Sequence, residues 1–349
     1  MRSFRRKREN APVTRDALAE AEILVGAGRR LEAIQLLTAG NRAERHPATE
    51  ERLVQLRYEA FAELDASAGL ESWPPPAPEL FSGVSGIPEV TPEEFTSDTI
   101  RSGIVGHGAL IVRGLIGHDR VAQLIDGIDR TFAAHDAFVD GAPVTETAPW
   151  YVPFEASPES AIGMIRPWVR KGGGVLAVES PRAMFDVLDV FTDAGLGDKL
   201  AGYLGEPPVL AAKKWTLRRV PIDSGTNWHQ DGAFLGADIR AVNVWLALTR
   251  CGDDAPGLDI VGRRVPDLAP TGTDGALFDW SVGEPMVARV AEGAPILRPI
   301  FQPGDAVLFD DLTLHRTAAG PDMKRERYAI ESWFFAPSRY PIDQVPVTF

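Results

Sequence analysis

The chain has 349 residues, 44% hydrophobic and 24% charged, with a net charge of −13. That is the make-up of a soluble globular protein with room for a full core, and its acidity argues against general nucleic-acid binding, which needs a basic surface. The single cysteine, Cys251, excludes an intramolecular disulfide, and no run of eighteen apolar residues offers a membrane span, so a cytoplasmic protein is expected.

Residues 1–13 open with Met1-Arg-Ser-Phe-Arg-Arg-Lys-Arg8, and no apolar run follows to make a signal peptide. A basic, disordered arm is expected there. Residues 14–71 read as helix: Leu18, Ala21, Leu24 and Val25 fall at helical spacing, as do Leu31, Ile34 and Leu37 after a break at Gly26-Ala-Gly28, and Leu53, Leu56, Ala60 and Leu64 after Pro47. The pair around Gly28 resembles one tetratricopeptide-like hairpin. A solenoid needs several such units, so a cap on the main domain is favoured over a docking site for a partner protein. Residues 72–84 begin Ser72-Trp-Pro-Pro-Pro-Ala-Pro78 and should form a stiff extended linker. From 85 to 349 short β-rich runs alternate with Gly/Pro/Asp turns. Helices are expected over 119–132 and 185–204, a strand at Gly108–Gly114, and after residue 209 almost only strands, clearest at 209–212, 241–248, 305–309 and 327–335. The fold class is therefore mainly β with flanking helices: a jelly-roll, cupin-like core behind an N-terminal helical segment.

The chemistry concentrates in Asn227-Trp-His-Gln-Asp-Gly232. On a strand, His229 and Asp231 project from one face and reach one metal. By itself such a triplet is common; context strengthens it. The segment Gln302–His315 supplies a turn, an apolar strand and a histidine at its far end, a third ligand. Two histidines and one carboxylate leave three positions open, which suits non-haem iron(II) binding a bidentate cosubstrate together with O2. Arg327 opens the strand Arg327–Phe335. A cation entering an apolar strand calls for a partner, and the distal carboxylate of 2-oxoglutarate fits a guanidinium fork. Arg325, one step earlier on the same face, competes; Arg327 is favoured because its strand continues inward.

Gly103–Leu115, Trp228-His-Gln-Asp231, Val244-Trp-Leu-Ala-Leu248, Gly304–Phe309 with His315, and Arg327 occur in that order. The series resembles the phytanoyl-CoA dioxygenase family over roughly residues 90 to 340. The resemblance implies a double-stranded β-helix with iron(II) near its open end, and 2-oxoglutarate and O2 as cosubstrates. It implies that Lys213 or Lys214, Trp245, Asn243 and Thr317 face the cosubstrate, Thr317 beside the carboxylate held by Arg327. For Trp245 a buried core aromatic is an equally good reading. The implied reaction hydroxylates an unactivated carbon of a small molecule, with release of succinate and CO2. Asp231 favours this over halogenation, because related halogenases lack the carboxylate; desaturation stays open. The chain departs from the family pattern at Gly257–Arg264, where a Pro-Gly-Ser-His-like turn is common, and at Arg316, where glycine is frequent, so acyl-CoA is not carried over as substrate.

The irregular stretch from Trp150–Phe154 to Ile165–Gly174 is a candidate lid, or an ordinary surface loop, and Arg166, Arg170 and Lys171 would suit an anionic substrate. Two other readings stand beside the oxygenase: a cupin-like metal-dependent hydrolase or isomerase without 2-oxoglutarate, and a non-catalytic binding module recruiting a partner through its helices.

Overall fold

A computed structural model describes residues 15–64, 72–154, 156, 167–236 and 238–349. The basic arm, the end of the cap and the middle of the candidate lid, Arg166 included, lie outside these residues. Three helices, α1 (Arg15–Gly26), α2 (Arg30–Ala43) and α3 (Pro47–Glu59), open the described chain. Gly28, at a φ of 70°, makes the turn between the first two, a conformation glycine adopts without strain. Their apolar stripes close on one another through Ala21, Ala33, Ile34, Leu37, Leu53 and Leu56, and Phe185 from the main body completes the cluster. Charge fastens the same interface. Arg45 pairs with Glu50 and Asp186, each at 2.6 Å, and Arg182 reaches Glu50 at 2.6 Å. Arg57 donates to the backbone carbonyl of Thr348 at 3.0 Å, and the Thr348 hydroxyl donates back to the carbonyl of Arg57. The cap thus packs on its own chain. The linker is seated as well, Trp73 meeting Tyr203 edge-on at 5.3 Å.

The β core has eleven strands among the described residues: β1 (Glu89–Val90), β2 (Ala109–Val112), β3 (Gly174–Leu176), β4 (Val209–Val220), β5 (Ala241–Ala247), β6 (Gly257–Val261), β7 (Ile296–Leu297), β8 (Ala306–Phe309), β9 (His315–Ala318), β10 (Arg327–Phe335) and β11 (Pro346–Thr348). Eight form one sheet in the order β1-β2-β8-β5-β10-β4-β11, with β3 also on β4; the other three form a small sheet, β7-β6-β9. Among the described residues the sheets are not joined into a closed barrel.

Alternation along the strands gives the large sheet two apolar faces. Leu110, Trp215, Leu217, Val244, Leu246, Leu308 and Ile330 belong to the face covered by helices α4 (Ser97–His107), α5 (His118–Val139), α6 (Pro181–Asp193) and α7 (Leu196–Leu204). The face toward the small sheet carries Ile111, Trp245, Val307, Phe309, Ala329 and Trp333, which meet Leu258 and Ile260. The candidate site opens between the sheets on this inner face.

Three local expectations are corrected. The helix expected over 185–204 is two helices, because Gly195 takes a φ of 65° and breaks it. The helix expected over 119–132 runs to Val139. The region after 209 is not almost all strand: α8 (Glu284–Ala291) buries Val287 and Ala291 against Trp228, Val261 and Leu314. Its start at Glu284-Pro285 and the apolar pairs Met286-Val287 and Val290-Ala291, four residues apart, are a helical signature.

Candidate metal centre and active-site cavity

His229 and His315 form an isolated antiparallel bridge, each donating its amide to the other's carbonyl at 3.0 Å. The expected regular strand under His229 and Asp231 is absent. At Asp231 the backbone is already helical (φ −64°, ψ −25°) and opens a single turn, Gly232–Leu235. Gly232 explains the bend: its amide donates to the carbonyl of Asp311 at 2.9 Å, and a Cβ there would meet that oxygen at 3.2 Å and the Asp311 carboxylate at 2.9 Å. Even so, ligand atoms of His229, Asp231 and His315 lie within 4.8 Å of one another.

The histidines are oriented alike. His229 Nδ1 lies 2.8 Å from the carbonyl of Asn227, and His315 Nδ1 lies 2.9 Å from that of Thr313. A carbonyl only accepts, so each Nδ1 carries the proton and each Nε2 keeps a lone pair free for a metal. His315 Nε2 stands 3.5 Å from Asp231 Oδ2, while Lys214 Nζ donates to Asp231 Oδ1 at 2.6 Å. Burial raises the Asp231 carboxyl, but Lys214 and then the two histidines outweigh it and hold the group well below the usual carboxylate range. Burial, and then repulsion from His315, lowers His229 to about 4. This donor set, two imidazoles and a carboxylate, fits a divalent transition metal. In the metal-free protein His229 should therefore reduce stability as pH falls from about 6.5, the unfolded value, toward 4, because only the unfolded chain takes up its proton there. Urea midpoints at pH 7 and pH 5 check this, with His229→Gln expected to show the smaller drop.

Gln230, between the two ligands, points away and is 1% exposed. Its amide donates to the carbonyls of Asp267 and Leu312 and accepts from the Ala269 amide at 2.7 Å, stapling the ligand segment to the two loops beside it. The departures from the family pattern have a structural role too. Arg264 donates to Asp310 at 2.8 Å, and Arg316 pairs with Asp259 and Glu284 and lies over Trp228. Asp310 is 1% exposed and also receives the Leu312 amide and the Thr313 hydroxyl, holding the turn that leads to His315. Arg264→Ala should cost about 3–5 kcal/mol in denaturant unfolding, since it leaves a buried carboxylate without its cation.

Two cavities meet at the triad. The inner one, about 70 Å³, is lined by Asn243, Trp245, Leu258, Phe309, Thr317 and Arg327 together with the triad. Arg327 is 1% exposed. It donates through Nη1 to the carbonyls of Pro256 and Gly257 at 3.1 and 3.2 Å, its Nε has no partner, and it lies 5.2 Å below the Trp245 ring. Burial lowers its pKa to about 10, so it stays charged at neutral pH. Asn243 Oδ1 is likewise buried and unpartnered. An orphaned guanidinium edge beside a turnable amide fits a carboxylate. Arg325 does not compete: it is exposed and pairs with Asp254 at 2.5 Å.

The choice between the two lysines comes from β4. Its register against β10 shifts between Ser332 and Phe334. Val209 and Ala211 share the inner face before the irregularity; Lys214, Thr216 and Arg218 share it after. Lys214 therefore reaches Asp231, and Lys213 turns to the backbone carbonyl of Asp343. Lys213 is thus not brought to the site.

The outer cavity, about 610 Å³, adds Lys214, Gln344, Phe234 and Trp280, and Arg218 and Glu331 line both cavities. The rings of Phe234 and Trp280 each lie 6.1 Å from His229. Of these only the lysine was singled out in the sequence. Arg327 and Glu331, charged residues four apart on one face of an apolar strand, are a signal for the glutamate; Trp280 and Gln344 carry none. Arg170 pairs with Asp136 at 2.6 Å over Phe132, and neither it nor Lys171 lines either of these two cavities.

No family model matches the chain, and no curated protein matches it. Among solved structures it is similar to EctD from S. alaskensis with 2-oxoglutarate and 5-hydroxyectoine, at 15% identity over 75% of this chain and 87% of that one, with a TM-score of 0.50. Lower scores link it to the non-heme alpha ketoglutarate dependent carbocyclase SnoK from nogalamycin biosynthesis (12% identity, 71% and 86% covered, 0.47) and to AviO1 from Streptomyces viridochromogenes Tue57 (18%, 68% and 94%, 0.44). What the chain shares with EctD at this level is its fold.

Proposed function

We propose that this protein is an iron(II)- and 2-oxoglutarate-dependent dioxygenase that hydroxylates an unactivated carbon of a small molecule, releasing succinate and CO2. The observation that carries the reading is one continuous site: a two-histidine, one-carboxylate cluster opening onto a small chamber lined by a buried guanidinium whose Nε has no partner. The 2-oxoglutarate in the EctD structure and the iron in another structure of that protein support it, and motif order supports kinship with the phytanoyl-CoA dioxygenases. We read the two sheets as the double-stranded β-helix of that class and the setting as cytoplasmic; among the described residues no helix is long and apolar enough to cross a membrane.

His229, Asp231 and His315 would hold the metal, and Arg327 with Thr317 and Asn243 the distal carboxylate of the cosubstrate. Bound iron(II) with 2-oxoglutarate and O2 supplies the oxidising power for the carbon–hydrogen bond. The chain's own part is orientation. The carbonyls of Asn227 and Thr313 fix both imidazoles, and Lys214 keeps Asp231 ionised. The wall of Trp245, Leu258 and Phe309 keeps water from the buried Arg327, strengthening its hold on a carboxylate. A cupin-like hydrolase or isomerase has no use for that cation.

The test is calorimetric titration of metal-free protein with 2-oxoglutarate under nitrogen, before and after manganese(II), a redox-silent substitute. Binding that requires the metal supports the proposal. Metal uptake with no 2-oxoglutarate binding would hand the site to the hydrolase or isomerase reading.

A further inference from the structure

The wall shared by the two cavities is charged. Arg218 on β4 and Glu331 on β10 line both and meet at 3.1 Å through Nη2 and Oε2. Their side chains are 24% and 16% exposed. A single contact leaves the pair incompletely satisfied, and Arg218 Nε is buried with no partner. Gln344, 3% exposed, donates its amide to Asp343 at 3.0 Å and leaves a buried Oε1 without a donor. Replacing such a pair by apolar residues is commonly neutral or stabilising, and each orphaned polar atom carries a desolvation cost. The fold therefore does not require these groups. Facing them across the outer cavity are Phe234 and Trp280, whose rings lie 5.6 Å apart. A few convergent polar groups set against an apolar wall are the usual make-up of a small-molecule site.

The polar groups differ in sense. Arg218 Nε is a donor on a cation; Glu331 and Gln344 Oε1 are acceptors, one of them anionic. We infer that the outer cavity binds a small zwitterion of the amino-acid kind, its carboxylate on Arg218 and its ammonium on Glu331 and Gln344. Its apolar body lies against Phe234 and Trp280. This rests on the oxygenase reading and names the substrate class for that site. Because Arg218 and Glu331 stand on the wall shared with the triad, the carbon presented to the metal lies within a few bonds of the charged groups.

The test uses full-length protein loaded with manganese(II) and 2-oxoglutarate under nitrogen. The probes are α-, β- and γ-amino acids with apolar bodies, each matched with the amine lacking its carboxylate and the acid lacking its ammonium. Calorimetry is expected to find at least one amino acid binding ten-fold or more tighter than both of its partners. In Arg218→Met the preference over the amine should collapse toward one, and in Glu331→Gln the preference over the acid. Cooperative thermal unfolding shows that each variant is folded, and Arg218→Lys should retain part of the preference. If the loaded protein binds no amino acid, binds the one-charge partners equally well, or keeps both preferences in the folded variants, the inference is wrong while the oxygenase reading stands. Loss of metal-dependent 2-oxoglutarate binding by the wild-type protein would instead overturn that reading.

Discussion

An Asp231→Ala variant is expected to bind manganese(II) at least about 100-fold more weakly than the wild-type protein, since even the partners of metal ligands, when removed, reduce affinity by about 10–100-fold. The geometry makes the loss larger than for a typical surface carboxylate. Asp231 is 3% exposed, carries the one negative charge of the cluster and is held ionised by Lys214 at 2.6 Å. Without it, two neutral imidazoles and an ammonium would face the cation, and the ammonium would repel it. Asp231→Asn separates charge from shape: it keeps an oxygen at the same place and should still lose most of the affinity. Titration of metal-free protein followed by the manganese(II) paramagnetic signal measures both. Unchanged affinity in Asp231→Ala would place the metal elsewhere. Affinity in the wild-type protein should also fall in acid, because each imidazole that takes up a proton is lost as a ligand.

Arg327→Ala should weaken 2-oxoglutarate binding to the manganese(II)-loaded protein by about 2–5 kcal/mol, roughly 30-fold to several thousand-fold, the range for truncating one partner of a buried charge pair. Arg327 offers a buried, unpartnered N–H to the inner cavity and, unlike Arg218 beside Glu331, makes no ion pair among the described residues. Arg327→Lys keeps the charge but offers a compact ammonium where a planar fork stood. It should fall between wild type and alanine, because a single ammonium cannot restore two parallel bonds. A metal titration on each variant shows that the cluster is intact. Wild-type affinity for 2-oxoglutarate in Arg327→Ala would remove the cation from the proposal and favour a site that does not use this cosubstrate.

Much of the molecule could be read from local pattern. The helical cap followed from apolar spacing and from Gly28, and β10 began and ended where its apolar run did, because both depend on neighbours a few residues away. The three candidate ligands could be picked out for a related reason: a His-x-Asp triplet and a histidine at the end of an apolar strand are short-range features whose order is visible without a fold. The Gly195 break and the helical spacing of α8 are equally local features. Arg264 and Arg316, two departures from the family pattern, are counter-ions for the buried carboxylates of Asp310 and Asp259.

The sequence by itself determined which residues could carry the chemistry and roughly which elements they occupy, since composition, periodicity and turn chemistry act over a few residues. Only the tertiary structure decided which of them meet. The register shift on β4 sends Lys214 to Asp231 and Lys213 to Asp343, a difference of one residue that depends on how β4 pairs with β10. The Gly232 turn replaced the expected strand because its amide is claimed by Asp311, 79 positions away in the chain. Arg218, Glu331, Trp280 and Gln344 come from four separate segments, and a cavity exists only where the sheets bring such segments together. Contacts at that range are set by packing, which no local pattern records.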